Sequence, residues 1–260
     1  MAEIDDRSVS IGRIFSRTFG VMGDNPLVVF GISFVLSGLP VGIFNSFFRE
    51  DLAAVTQGGF NSAILLRSGL GFLVALVLQW LVASCVTRAT VAYSQGERAS
   101  VADCFAVAIP RLLPVFAVSI LAGIGMAIGF VLLIVPGIML ACMWAVIVPV
   151  TLAERTGVIE SFGRSRALTS GARWKILGVF LLVGIISWAI DFVAGVISGA
   201  AIGAGYQDPL VATHPLAVVL SVLTTTITTT LMAANTTALF VELRNWKDGP
   251  QDERLSDIFA

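Results

Sequence analysis

Five basic side chains that follow the middle of the chain are the residues best suited to bind a ligand. They are Arg155, Arg164, Arg166, Arg173 and Lys175. Basic residues near an anionic membrane surface each contribute roughly 1 kcal/mol of attraction. The cluster therefore predicts a site for the headgroup of an anionic lipid. The alternative is an ordinary basic loop that contacts bulk lipid without a specific site.

A second set of polar residues lies inside stretches that are otherwise apolar. Asp191 is the only acid that we expect within the hydrocarbon, and a later apolar stretch holds the run TTTITTT at 224–230. In two antiparallel helices Thr225 and Thr228 lie level with Asp191, so their hydroxyls can donate to its carboxylate. Gln79, in the second predicted span, is expected near the midplane of the membrane. We interpret these groups as helix-packing contacts; the alternatives are a proton or substrate path, and water access from the outer face.

The sequence offers little for catalysis or for metal binding. It contains no G-x-S-x-G, H-E-x-x-H, paired-aspartate or Ser–Lys pattern. Three scattered cysteines and a single histidine give no disulfide framework and no zinc site. We therefore expect a protein that is not an enzyme, with no catalytic residue, no metal and no cofactor.

The composition indicates that lipid surrounds most of the chain. Of 260 residues, 57% are hydrophobic and 13% are charged, against about 25% charged in a typical soluble domain. The net charge of −1 argues against nucleic acid as a partner, since phosphate binding needs a basic surface. The polar and acidic start MAEIDDRSVS does not have the pattern of a cleavable signal peptide.

Six segments are long enough to cross a hydrocarbon core about 30 Å thick, which takes roughly 20 helical residues. The predicted spans are 27–48, 69–93, 112–135, 137–153, 175–195 and 216–241. They form one transmembrane domain at 25–245, between an N-terminal segment at 1–24 and a tail at 246–260. The expected fold class is an all-α integral membrane protein with short interfacial helices.

The third and fourth spans are separated by a turn signal. Val135-Pro136-Gly137 interrupts an apolar run that is far too long for one crossing. We expect Pro136 to end the third helix and Gly137 to supply an unusual backbone angle. Pro149 is expected to kink the fourth helix near its inner end. The two spans should form a membrane hairpin.

The basic residues predict the orientation. If the N-terminus lies inside, 14 of the 16 Lys and Arg residues lie on that side, and only Arg49 and Arg67 lie outside. Such a bias places both termini in the cytoplasm by the positive-inside rule. The expected location is a bacterial inner membrane, crossed several times.

Three of the basic segments also carry apolar residues at helical spacing. These are Ile11, Phe15 and Phe19, then Val101, Phe105 and Ile109, then Val158 and Phe162. Each segment suits a helix in the headgroup layer, with its apolar stripe toward the lipid, and each precedes two spans. This predicts three parallel repeats at about 8–93, 100–153 and 157–241. The alternative is that the amphipathic loops are unrelated, as in many multi-pass proteins.

The middle of the chain resembles a known bacterial and archaeal family. The matching residues are Val135-Pro136-Gly137, Trp144, Pro149, Glu154, Glu160-Ser161, Ser165, Leu168-Thr169, Gly171 and Trp174-Lys175. The family is the membrane domain of some glycerophosphoryl diester phosphodiesterases, with related stand-alone six-helix membrane proteins. In fused members the chemistry belongs to a separate metal-binding barrel, so the resemblance implies no catalytic residue here. It implies a membrane module that anchors, assists or gates lipid-related work.

The connection at 157–175 also has a physical interpretation. Gly157 should begin a helix, with Glu160 near its N-terminus, where a negative charge favours the helix dipole. Thr169-Ser170-Gly171 should end that helix. Trp174-Lys175 should anchor the next helix at the membrane interface.

Glycines spaced four residues apart predict close helix contacts. They occur as Gly125 with Gly129, and as Gly195, Gly199 and Gly203. Such runs serve packing within one chain or between copies, so a homo-oligomer stays open.

The expected partners are membrane lipids, anionic ones among them, or a cytoplasmic protein. The leading prediction is a non-enzymatic protein that binds them at its basic inner face, and the alternative is a transporter of lipid or small molecules that uses the polar residues around Asp191.

Overall fold

The computed structural model describes residues 9–47, 62–203 and 214–249, and every regular element in these ranges is helical. In chain order they are α1 (Ile11–Asp24), α2 (Pro26–Ser33), a π-helical turn (Phe34–Gly38), α3 (Leu39–Phe47), α4 (Ser62–Ser94), α5 (Val101–Leu132), α6 (Ile134–Met143), α7 (Ile147–Ala153), α8 (Val158–Thr169), α9 (Arg173–Ile202) and α10 (Pro215–Asp248). The expected all-α class is confirmed for this part of the chain.

Six helical segments are long and apolar enough to cross a membrane. They are Pro26–Phe44, Ser62–Ser94, Val101–Leu132, Ile134–Ala153, Arg173–Ala201 and Pro215–Asp248. The number of predicted spans is confirmed, and the chain is a multi-pass membrane protein. Most helices extend beyond the predicted bounds, and α10 does so through the polar segment that ends at Asp248.

One expected interfacial helix does not exist as a separate element. Val101, Phe105 and Ile109 belong to the continuous helix α5, which begins with a capping box between Ser100 and Asp103 and carries Pro110 and Pro114 inside it. A proline removes one backbone hydrogen bond and does not have to end a helix whose apolar faces are held by neighbours. The three-repeat organisation stays a prediction.

The prolines of the third and fourth spans lie at helix starts, which corrects two expectations. The chain breaks at Leu133, with φ −164° and ψ 147°, and Pro136 occupies the first turn of α6. Pro149 likewise lies in the first turn of α7, after a break at 144–146. First-turn N–H groups have no partner within the helix, so proline is tolerated there. Pro149 therefore lies just after an interruption of the fourth span and does not kink a continuous helix.

Gly137 contributes space for packing and not the unusual backbone angle that we expected. It lies within α6, and a Cβ at this position would approach ring atoms of Phe130 to 2.5 Å. Gly129 faces Gly137 and Leu140, and Gly125 faces the Trp144 ring, where an added Cβ would lie 2.6 Å from two ring carbons. The Gly125–Gly129 pair thus packs the hairpin of α5 and α6.

Replacement of Gly125 by alanine is expected to lower the free energy of unfolding by about 1–2 kcal/mol, because the added methyl group overpacks the Trp144 contact. Gly123→Ala is the matched control on the same helix, since its Cβ would meet nothing within 4 Å. Thermal unfolding of both variants in detergent checks the prediction. Equal stability of the two variants would contradict it.

Helix α10 lies at the centre of the bundle and packs against α1, α3, α4 and α9. Its C-terminal half supplies Ala238, Leu239 and Leu243 to a buried cluster that also contains Ile14 of α1 and Ile176 of α9. A helix in contact with so many neighbours has little surface left for lipid. Helix α9, by contrast, exposes most of its apolar residues.

The basic segments meet at one end of the bundle, called the basic end below. Arg98 in the connection between α4 and α5 donates to Asp24 of α1, with 2.9 Å between Nη2 and Oδ1. Lys175 at the start of α9 donates from Nζ to the Val9 carbonyl at 3.0 Å. The side of the membrane on which this end lies stays a prediction, as does the cytoplasmic location of both termini.

Candidate functional site

Helix α8 docks on the interruption of the fourth span. The break at 144–146 frees the Met143 carbonyl oxygen from helical bonding. Ser165 donates to this oxygen from Oγ at 2.9 Å, and Thr169 donates from Oγ1 at 3.2 Å. Because an unbonded carbonyl is costly in an apolar setting, the two hydroxyls of α8 stabilise the broken span.

The buried face of α8 is lined by hydroxyl groups and not only by the predicted apolar stripe. Ser161, Ser165 and Thr169 are fully buried together with Leu168. Thr151 of α7 donates to Ser161 Oγ at 2.9 Å. The expectation that the apolar stripe of α8 faces lipid is therefore wrong, since Val158 and Phe162 pack on protein. Its location in the headgroup layer stays a prediction.

The predicted apolar residues of α8 contact an aromatic neighbour. Phe162 meets the Trp144 ring edge to face, with 5.1 Å between ring centroids. Val158 packs in the same cluster, beside Val118 and Ile147. Trp144 is thus held between Gly125 and Phe162, which gives a structural role to this residue of the family motif.

The predicted ends of α8 are confirmed. Glu160 accepts a hydrogen bond from the Gly157 backbone N–H at 3.1 Å, so a carboxylate satisfies one of the free donors of the first turn. The helix ends at Thr169. Gly171 follows with φ +84°, a left-handed conformation that favours glycine, and a Cβ there would lie 3.2 Å from the Trp246 ring.

Arg164 makes ion pairs within the protein. Its Nε and Nη2 donate to the two Glu154 carboxylate oxygens at 2.7 and 2.9 Å, and its guanidinium also contacts Asp248 at the end of α10. The hydrogen bonds that Arg164 donates, to Glu154 first and to Asp248 second, raise the pKa of Arg164 above its usual range. Arg164 therefore ties α7, α8 and α10 together, and its donors are already engaged.

The other four predicted headgroup ligands differ in exposure. Arg155 and Arg166 are exposed, and Arg155 has a left-handed backbone with φ 53°. Lys175 is exposed too, although its Nζ donates to the Val9 carbonyl. Arg173 is half-buried, and its Nε has no hydrogen-bond partner within the described chain. The structure thus leaves Arg155 and Arg166 as the most accessible cations of the set.

Large apolar side chains are exposed beside these cations. Ile159 is 77% exposed and Trp174, beside Lys175, is 86% exposed. A tryptophan next to a lysine at the end of a spanning helix is typical of the membrane interface. The arrangement combines apolar groups that enter lipid with cations that meet its headgroups.

The predicted hydrogen bonds to Asp191 are not formed. Asp191 is exposed on α9 and has no hydrogen bond or ion pair with any described residue. Thr228 donates to the Thr224 carbonyl of its own helix at 2.9 Å. The buried face of α9 runs through Ile176, Val179 and Val183, and Asp191 lies outside it. Side chains that are predicted at the same depth on neighbouring helices need not face each other, because that also depends on the rotation of each helix about its axis.

Gln79 and Thr225 instead meet at a groove in the half of the bundle away from the basic end. The groove encloses about 760 Å³ between the π-helical turn with α3, the first half of α4, and α10. Its other polar residues are Ser37 and Thr229, whose hydroxyl oxygens lie 3.2 Å apart. Asp191 does not line this groove.

A buried acid that the sequence analysis missed fixes helix α1. Glu242 of α10 is only 4% exposed. Its carboxylate accepts from the Ser10 backbone N–H at 3.1 Å and from Arg13 Nε at 2.8 Å, and lies 3.7 Å from Arg17 Nη1. The predicted sixth span ended at 241, so this acid lay just outside the predicted span and received no role. Its position one residue beyond an apolar run was the available signal.

Comparison of the chain with protein-family models, curated proteins and solved structures finds no match in any of the three. The resemblance to the membrane domain of glycerophosphoryl diester phosphodiesterases therefore stays a prediction. Some of the motif residues, among them Gly137, Trp144 and Gly171, have the packing roles described above.

Proposed function

We propose that this multi-pass membrane protein is a non-enzymatic module of a bacterial inner membrane, with both termini in the cytoplasm. Its basic end binds the headgroups of anionic lipids during a membrane-lipid-related process. The family resemblance is consistent with such a role. A cytoplasmic protein is the other partner that we expect at the same end.

The observation that carries the proposal is the pairing of exposed cations with exposed apolar groups. Arg155 precedes α8 and Arg166 lies on it, and Ile159 of the same helix is 77% exposed. Trp174 and Lys175 supply the same combination at the start of α9. Cations at this depth attract anionic headgroups, while the apolar side chains hold them at the interface. Arg164 contributes by positioning α8 and not as a headgroup ligand.

A double variant tests headgroup binding. Arg155→Ala with Arg166→Ala is expected to weaken binding of phosphatidylglycerol at least about tenfold, at roughly 1 kcal/mol per cation. Native mass spectrometry of the protein titrated with phosphatidylglycerol, or with zwitterionic phosphatidylethanolamine, measures this. Arg67→Ala is the control, since Arg67 lies near the start of α4, at the end of that helix away from the basic end.

The expected result is loss of the preference for phosphatidylglycerol in the double variant and its retention in Arg67→Ala. If the double variant keeps the wild-type preference, the headgroup proposal is wrong. Binding of a cytoplasmic protein would then be the remaining hypothesis for these cations.

Transport is the second candidate. The groove lined by Gln79 and Thr225 favours it, because it opens a polar position within the apolar part of the bundle. Asp191 was the acid expected to drive such a path, and it lies apart from both residues. We therefore favour headgroup binding as the function.

A further inference from the structure

We propose that the groove between α3, α4 and α10 binds an uncharged amphiphile from the membrane, with a hydrocarbon chain and one hydroxyl or amide group. This site lies in the half of the bundle opposite the basic end. It is independent of the headgroup binding proposed above, because the two sites share no residue.

The lining determines that the occupant is uncharged. The described residues that line the groove include no Asp, Glu, Lys, Arg or His. An ionised group would have no counter-ion there, at a cost of several kcal/mol in hydrocarbon. The volume of about 760 Å³ lies within the range of pockets that hold small molecules, roughly 300–1,000 Å³.

Two polar groups in the groove lack partners. Neither the Gln79 amide nor the Thr225 hydroxyl makes a hydrogen bond to a described residue. Neighbouring threonines of α10 behave differently, since Thr226 and Thr228 donate to carbonyls of their own helix at 2.7 and 2.9 Å. A polar group within the hydrocarbon gains most from a partner. A hydroxyl or amide of the occupant supplies one that can both donate and accept.

The groove is accessible from the lipid. Ile43, Phe72 and Val74 line it, and each is more than half exposed. Ser37 reaches the groove from the π-helical turn, where Gly38 permits close contact with α10 because a Cβ there would lie 2.9 Å from the Val222 carbonyl. Such π-helical turns are frequent at functional sites. An occupant can therefore enter sideways from the bilayer, with its chain along the apolar wall.

Photolabelling of the full chain in lipid nanodiscs tests the proposal. The probe is a sixteen-carbon alcohol with a mid-chain diazirine, compared with the corresponding alkane and carboxylic acid. Ala75→Phe fills the groove from an exposed lining position, and Ala127→Phe is the control on the exposed surface of α5. Gln79→Leu with Thr225→Val removes both polar partners at nearly constant volume.

The alcohol is expected to label residues 36–44 and 71–79 in preference to α5, and Ala75→Phe should abolish this preference while Ala127→Phe keeps it. The double variant should weaken labelling by the alcohol roughly two- to tenfold, the range for a net hydrogen bond, without changing labelling by the alkane.

Uniform labelling along the lipid-facing surface, or labelling by the alcohol that Ala75→Phe leaves unchanged, would overturn the proposal. A preference for the carboxylic acid would overturn the uncharged class. Because Ala75 is exposed, the substitution does not disturb the buried core, and the double variant provides a second test.

Discussion

Replacement of Glu242 by alanine is expected to release helix α1 from the bundle and to lower the free energy of unfolding by about 3 kcal/mol. The carboxylate joins the Ser10 backbone to Arg13 and Arg17. Removal of one partner from a buried ion pair leaves the other charge uncompensated, which typically costs about 3–5 kcal/mol. The low end applies because Arg13 is itself 46% exposed.

Trypsin reports on this change directly, since it cleaves after arginine. Limited proteolysis in nanodiscs should cut the Glu242→Ala protein at Arg13 and Arg17 much faster than the wild type. Glu242→Gln should be intermediate, because the amide oxygen still accepts from Ser10 and the charge is lost. Glu97→Ala, at an exposed acid in the connection after α4, is the control. Unchanged resistance of the Glu242→Ala protein would show that α1 is held by apolar contacts alone.

Replacement of Arg164 by alanine is expected to lower the free energy of unfolding by about 2–3 kcal/mol. Arg164 bridges Glu154 and Asp248, and its side chain is 29% exposed. The variant removes the cation between two partly buried carboxylates, and Arg244 Nε, 3.9 Å from Glu154, replaces only part of its attraction. Lysine should not rescue the loss, because an ammonium group cannot match two carboxylates with a planar fork.

Arg166→Ala is the matched control, since Arg166 lies on the same helix, is exposed and makes no ion pair with a described residue. Thermal unfolding, with hydrogen exchange at α8 and at the last turns of α10, separates the variants. We expect Arg164→Ala to lose stability and to retain headgroup binding. Arg166→Ala should lose part of headgroup binding and retain stability. Equal stability of the two variants would remove the proposed role of Arg164.

The number and order of the spans could be predicted because length and composition decide them. A helix must satisfy its own backbone in lipid, so an apolar run of sufficient length has few alternatives. The interruptions were less predictable. Pro136 and Pro149 signalled a break in the sequence, but the chain breaks a few residues earlier, at Leu133 and at 144–146.

Rotation about each helix axis could not be derived from the sequence. Depth follows from counting residues, and counting placed Asp191 level with Thr225, which suggested a hydrogen bond. The side toward which each group points depends on packing with every neighbour. Thus Asp191 is exposed, whereas Thr225 and Gln79 line the same groove.

The count of basic residues grouped the connections at one end, but it did not identify which charges form pairs. The positive-inside count treated all arginines alike, and acids contributed nothing to it. In the structure Arg164 pairs with both Glu154 and Asp248. Glu242 pairs with both Arg13 and Arg17. Except for Arg164 with Glu154, these pairs join residues that are far apart in the chain. Only the tertiary structure therefore identifies which cations stay available.

The interruption in the fourth span makes its insertion depend on a later part of the chain during synthesis. The donors to the Met143 carbonyl, Ser165 and Thr169, emerge from the ribosome 22 and 26 residues after their acceptor. Until then the nascent fourth crossing carries an unsatisfied carbonyl, at a cost of several kcal/mol in lipid. Release of this crossing from the insertion machinery should therefore wait for α8. The segment between the fourth and fifth crossings would thus assist insertion of the crossing that precedes it.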